Sequence, residues 1–271
     1  MRTSNHTRSF RHIFMYSHCL NFRMSSKVRT VLLRDGPVGD RIEPWFRSRD
    51  DVDLLLSTSD KIPEENSQKN TSFDLDTIYE REPDLLLSAG YRHIVPKSAL
   101  EAADIALNCH NSYLPHARGA NANVWSIIED GPAGVTIHEM VEKVDAGPII
   151  AQRKVPVYPD DSGKDIYIRL IDAMVGLLEE EWPSIQDGTY STKQNPISEG
   201  TYHTTDDFDS VCELNLESEK TVIELINILR ALTFPPFDNA YFERDGEKYY
   251  VKMEIKRENS IGEKIQSASE N

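Results

Sequence analysis

The sequence predicts an α/β fold: a parallel β-sheet covered by helices, then a small C-terminal α+β subdomain ending in a β-hairpin. Three observations predict it. Short apolar runs alternate with helix-like segments over the first 110 residues, the order that gives parallel strands joined by crossovers. The segment 164–185 repeats apolar residues at three- and four-residue steps, as a long amphipathic helix does. Asp245-Gly246 lies between two extended stretches, a strong hairpin signal.

Taken in order, Val28 to Leu33 reads as a buried first strand. The turn Asp35-Gly36-Pro37-Val38-Gly39 closes it, and a helix runs from Asp40 to Arg47. Asp53 to Leu56 reads as a second strand, and the polar stretch 59–73 as a loop. Leu75 to Glu82 fits a short helix stopped by Pro83, and Asp84 to Ser88 a third strand. Pro96 to Ala103 fits a helix, and Ile105 to His110 a fourth strand. Ala120 to Ile128 is a helix, Gly134 to His138 a strand and Pro148 to Val157 an extended segment. Ile168, Ile171, Val175, Leu178 and Trp182 then mark one face of the long helix. The polar segment 187–210 is expected to be loop-rich. Thr221 to Leu232 forms a helix stopped by Pro235-Pro236, and Tyr241–Glu243 and Lys248–Ile255 are the hairpin arms. The organisation follows: an extension at 1–26, a catalytic domain at 27–190, a small subdomain at 191–258 and a disordered tail at 259–271.

Bulk properties narrow the function. The 271 residues are 39% apolar, enough for a packed core, with a mean hydropathy of -0.50. No apolar run reaches bilayer length, so the chain reads as a soluble protein without a membrane partner. Cys19, Cys109 and Cys212 suit neither a disulfide framework nor a metal site, and a reducing cytoplasm fits them. His93, His116, His138 and His203 show no metal-ligand spacing either, so no metal is expected. The net charge is -15, which opposes broad nucleic-acid binding, and a high-salt environment would also favour it. Residues 1–26 carry Arg2, Arg8, Arg11 and Arg23 and no acid. They read as a disordered tail or an over-long reading frame that starts in truth at Met24, with a transit peptide as the alternative.

Ligands of parallel sheets sit beyond the carboxyl ends of the strands, and Asn108 and His110 lie at such an end. Two apart on a strand, they share a face. An asparagine amide can donate to a developing oxyanion, and a histidine is a base near neutrality. A later carboxylate, Asp145, can orient that base and stabilise its protonated form. Asn-x-His alone is a weak signal, since a histidine at a strand end is more often a satisfied polar residue.

The surroundings are far more specific. They read Asn108-Cys-His-Asn-Ser-Tyr-Leu-Pro115, then Arg118-Gly119, Gly134-Val-Thr-Ile-His138 and Val144-Asp-Ala-Gly-Pro148. This ordered set resembles the folate-dependent formyltransferase family, over 80–157 and more loosely over 219–255. The resemblance implies a Rossmann-like domain, with Asn108, His110 and Asp145 as the catalytic trio and N10-formyltetrahydrofolate as formyl donor. It also implies a pterin site along Gly90, Tyr91, Ile94 and Pro96 and the segment from Val141 to Val144. Asn111 departs from the proline or glycine of many relatives, and the turn Glu129 to Ala133 is shorter than in tRNA-acting ones.

Within the family, Gly119 to Trp125 and the tail from Leu232 to Phe242 resemble the nucleotide-sugar N-formyltransferases. That implies a nucleotide-linked, dTDP-type amino-deoxysugar as acceptor and a place in glycan or O-antigen biosynthesis. Arg92 would meet the diphosphate, with Ser112, Phe237, Asn239 and Tyr241 as further substrate contacts. Relatives pair through the C-terminal region, which implies a homodimer. Two alternatives stay within the family. A methionyl-tRNA formyltransferase would be expected to carry a further domain after the hairpin, and a phosphoribosylglycinamide formyltransferase a glycine-rich loop in place of Arg34 to Gly39. The non-enzymatic alternative is a folate- or nucleotide-sugar-binding protein.

Overall fold

A computed structural model describes residues 27–58 and 76–258. The expected loop 59–73 and the two terminal segments lie outside the described residues. Six strands form the central sheet: β1 (Val28–Arg34), β2 (Val52–Ser57), β3 (Leu85–Ala89), β4 (Ile105–His110), β6 (Gly134–Glu139) and β7 (Ile149–Lys154). Their order is β2-β1-β3-β4-β6-β7. Alternation sorts the strands' apolar residues onto two faces. Leu32, Leu85, Leu87 and Leu107 face the main core, whereas Val31, Leu33 and Leu86 face a second cluster.

The first four strands are parallel, as expected. β6 runs antiparallel to β4 and β7 antiparallel to β6, so the whole sheet is mixed. The link from β4 to β6 holds β5 (Arg118–Gly119) and α4 (Ala122–Ile128). The chain re-enters the sheet at the end where β4 stopped, and His110 pairs with Thr136.

The main core is closed by α1 (Gly36–Arg47) and α5 (Gly163–Gln186). Trp45, Phe46 and Trp182 meet edge to face with ring centroids 5.0–5.6 Å apart, and Trp182 Nε1 donates to Asp51 Oδ2 at 3.1 Å. α1 begins four residues earlier than the sequence predicts. Asp35 caps it by accepting from Gly36 N at 2.7 Å, and Pro37 fits the first turn, where its missing N–H leaves nothing unpaired. The second face is covered by α2 (Asp76–Arg81) and α3 (Lys97–Leu100), with Ile78 and Ala99 buried there. α3 is half the expected length; just past its end Asp104 N turns to Pro83 O and the chain enters β4.

After α5 the chain does not remain a loop. β8 (Tyr202–His203) pairs in parallel with β5 (Arg118–Gly119), and α6 (Thr205–Cys212) follows. Its capping box, Thr204 with Asp207, satisfies two end N–H groups reciprocally; the signature was present in the polar stretch. α7 (Val222–Leu232) packs against α4. Two short antiparallel pairs end the described chain: β9 (Thr233–Phe234) with β10 (Phe237–Asp238), and β11 (Tyr241–Arg244) with β12 (Glu247–Tyr250). The second pair is the expected hairpin, although its outer arm leaves the ladder after Tyr250. Asp245 and Gly246 both take positive φ, as a tight hairpin turn requires.

Candidate active site

β4 delivers Asn108 and His110 to one end of the sheet, and antiparallel pairing sets His138 of β6 opposite Asn108. Asp145 comes from the β6–β7 loop and reaches over that end. Its side chain is buried and holds a left-handed backbone, φ 49°, which aspartate tolerates better than most residues. Asp145 Oδ2 lies 3.6 Å from His110 Nδ1 and accepts from Gly119 N at 2.8 Å. Asp145 Oδ1 accepts from Asn108 Nδ2 at 3.2 Å and lies 3.5 Å from His138 Nε2. The three sequence-predicted residues thus form one cluster.

Two details depart from the sequence reading. The Asp145–His110 approach is longer than a hydrogen bond, so the carboxylate acts on the ring chiefly through its charge. Asn108 Nδ2 is also 3.3 Å from His138 Nε2. His138 Nδ1 is 2.8 Å from Glu139 O and donates to it. The Asn108 amide nitrogen thus lies between Asp145 Oδ1 and His138 Nε2. His138, the last residue of the motif strand Gly134–His138 and given no catalytic role there, belongs to this cluster. So does the backbone N–H of Gly119, which no side-chain pattern could announce. Gly119 has φ 87°, and a Cβ there would lie 2.1 Å from His203 O.

The electrostatics favour a neutral base beside an ionised acid. Burial pushes the His110 pKa down; Asp145 and the Ala117 backbone act against that, while His138 and Arg118 reinforce it. For Asp145, burial would raise the pKa, but His110, His138 and the Gly119 N–H outweigh it and hold the carboxyl well below the usual range. His110 Nε2 is buried without a protein partner. An imidazole with Nδ1 facing a carboxylate and Nε2 bare is disposed to take a proton at Nε2.

Comparison with known proteins decides the family. Residues 49–180 match the Formyl transferase domain, and 207–257 match the N-formyltransferase dimerization C-terminal domain. A dTDP-4-amino-4,6-dideoxyglucose formyltransferase of Mycobacterium tuberculosis is 36% identical over 176 residues, covering 65% of this chain and 74% of that one. The chain belongs to the formyltransferase family. Among solved structures, a 4-N formyltransferase from Francisella tularensis superposes with TM-score 0.75 at 25% identity, over 86% of this chain and all of that one. A formyltransferase of Anoxybacillus kamchatkensis, solved with UDP-4,6-dideoxy-4-formamido-L-AltNAc and tetrahydrofolate, is 30% identical with TM-score 0.51. That match covers 67% of this chain and 88% of that one.

The formyltransferase brings the two segments expected for the pterin together. Gly90, Tyr91, Ile94 and Pro96 precede α3, and Val141 and Val144 lie in the β6–β7 loop. Lys97 Nζ and Glu142 Oε1, 2.5 Å apart, tie these stretches. Tyr91 packs into the second cluster with Met140, while Ile94 and Val141 stay exposed.

The expected substrate residues are spread more widely. Ser112 lies just past β4, buried, with its hydroxyl unpartnered. Arg92 is largely exposed and lies 3.0 Å from Asp35 Oδ2, at the start of α1. Phe237 is exposed beside Phe234, whose ring meets Tyr167 at 5.3 Å. Asn239 Nδ2 donates to Leu232 O at 3.0 Å, and Tyr241 lies under Lys248 in the hairpin. Among the described residues no hydrogen bond or ring contact joins Phe237, Asn239 or Tyr241 to His110 or Asp145.

Proposed function

We propose that this formyltransferase moves the formyl group of N10-formyltetrahydrofolate to the amino group of a nucleotide-linked, dTDP-type amino-deoxysugar. The observation that carries the proposal is the buried His110 Nε2, unpartnered and backed by Asp145, in a chain 36% identical to a dTDP-4-amino-4,6-dideoxyglucose formyltransferase. The sugar amine attacks the formyl carbon, and the carbonyl electrons move to oxygen. His110 Nε2 takes the amine proton, and the ionised Asp145 stabilises the imidazolium. Collapse of the oxyanion breaks the bond to N10 of the folate, which takes that proton from His110. Asn108 anchors Asp145 at rest and turns one amide N–H to the oxyanion in the reaction. Its resting bond to Asp145, 3.2 Å, is longer than the ~2.9 Å of a typical N–H···O bond and is readily exchanged.

The folate fits the residues present. The exposed Ile94 and Val141 offer an apolar contact, and the tethered 90–96 and 141–145 segments offer backbone groups to read a ring. The nucleotide sugar would approach over Arg92, Tyr167 and the Phe234–Phe237 pair. The C-terminal region supports a homodimer. Leu216, Val222, Ile223 and Leu225 are exposed within the match to a dimerization domain.

The test mixes purified protein with N10-formyltetrahydrofolate and dTDP-4-amino-4,6-dideoxyglucose or its 3-amino isomer. The expected result is a folate-dependent mass gain of one formyl group on the sugar. Reaction with glycinamide ribonucleotide instead, and with neither sugar, would end the sugar reading.

A further inference from the structure

In the run 191–200, one side chain is buried: Asn195. It lies between the two family matches, and a strap from 193 to 203 carries it across the active-site end of the sheet. Lys193 exchanges two backbone hydrogen bonds with Ile149, at 2.8 and 2.9 Å. At the other end, Ala117 N donates to Thr201 Oγ1 at 3.0 Å and Arg118 N to Thr201 O at 3.1 Å. The strap therefore holds the loop that brings Gly119 to Asp145 and the segment that follows Asp145.

Asn195 sits at the centre of that hold. Its Nδ2 donates to Asp145 O at 3.0 Å and to Gly147 O at 3.3 Å. Its Oδ1 is buried with no partner, so the carbonyl pair alone fixes which way the amide faces. The backbone it grips is the left-handed one of Asp145, and Gly147 is so close to Glu139 O that a Cβ would fall 1.9 Å from it. A conformation of that kind persists only where its surroundings over-determine it. We propose that Asn195 is a positioning residue for formyl transfer: its amide clamps the Asp145 and Gly147 carbonyls and so fixes the Asp145 carboxylate against His110 and Asn108. The inference rests on the role given to Asp145 above.

The test is a double-mutant cycle in the full chain. Asn195→Ala is expected to lower kcat by about 10- to 100-fold, the effect of a misplaced catalytic group, with little change in KM for either substrate. In an Asp145→Asn background the same change is expected to cost almost nothing more, because Asn195 acts through that carboxylate. The ionisable groups facing His110 are Asp145, His138 and Arg118. Of these Asp145 favours the protonated ring, so loosening it moves the acidic limb of the kcat profile to lower pH. A purely structural asparagine would lower Tm and leave that limb in place. Full kcat in Asn195→Ala, or a loss that multiplies fully with that of Asp145→Asn, would overturn the inference. A fully active Asp145→Asn enzyme would sink both the inference and the role of Asp145. Should Asn195→Ala not fold, Asn195→Gln keeps the donors that Asn195→Asp removes. The glutamine enzyme is expected to be about tenfold the more active, and equal activities would overturn the clamp.

Discussion

At the end of β4, polar groups are buried: the His110 and His138 rings lie 3.6 and 3.5 Å from the buried Asp145 carboxylate. At the start of α7 the reverse holds, with Val222 77% and Ile223 61% exposed on a helix whose later residues, Ile228 to Leu232, are buried. Each region carries a cost that the lone chain does not recover: a buried nitrogen without a partner in one, apolar side chains in water in the other. A small molecule entering the first region, and a protein surface covering the second, would meet these costs. The two regions should therefore fail independently, one in chemistry and the other in assembly.

The largest effect is expected at His110. His110→Asn keeps a polar side chain but removes the base, and kcat should fall about a thousandfold while Tm and the dimer persist. Full activity in a steady-state assay would remove His110 from the mechanism. Asp145→Asn is expected to cost about a hundredfold and to move the acidic limb of kcat/KM. The sign is set by the ring: burial already holds the His110 pKa below its ordinary value and Asp145 opposes that, so losing the charge takes the limb lower still. A limb that moves upward would contradict the geometry.

How much of this was legible varies from residue to residue. Asn108, His110 and Asp145 stood out because an ordered set of neighbours surrounds them, and the fold joins them although 35 positions separate His110 from Asp145. His138 sits in the same motif, yet its place beside Asn108 depends on β6 running antiparallel, which strand-and-helix order over the first 110 residues could not give. Gly119 acts through a backbone N–H, a group every residue but proline has. Asn195 was hidden for another reason. The residues around it are mostly polar and show no period, and its partners are carbonyls 50 and 48 residues earlier. Side-chain chemistry was readable from the chain; the direction of a strand and the course of a strap depend on packing between distant segments.

Assembly comes next in size. Ile223→Asp puts a charge into the exposed apolar face without touching the buried one. It is expected to shift the protein from dimer to monomer in sedimentation, while leaving kcat near that of the parent. A variant that stays dimeric would place the interface elsewhere, and one that loses kcat in proportion to dimer would show that the two regions are coupled.

The smallest effect sharpens the same contrast. Thr221 caps α7: its hydroxyl accepts from Glu224 N at 3.3 Å, and Glu224 Oε2 accepts from Thr221 N at 2.7 Å. Removing such a cap by Thr221→Ala costs about 1 kcal/mol, or a few degrees in Tm. The turn it orders is the one that presents Val222 and Ile223. If a second copy covers that turn, dimerisation stabilises the folded state by mass action. Tm then rises with protein concentration, and the frayed turn of Thr221→Ala weakens that rise as well as lowering Tm. A Tm independent of concentration in both proteins would mean that no second copy covers the face and that the cap serves the helix alone.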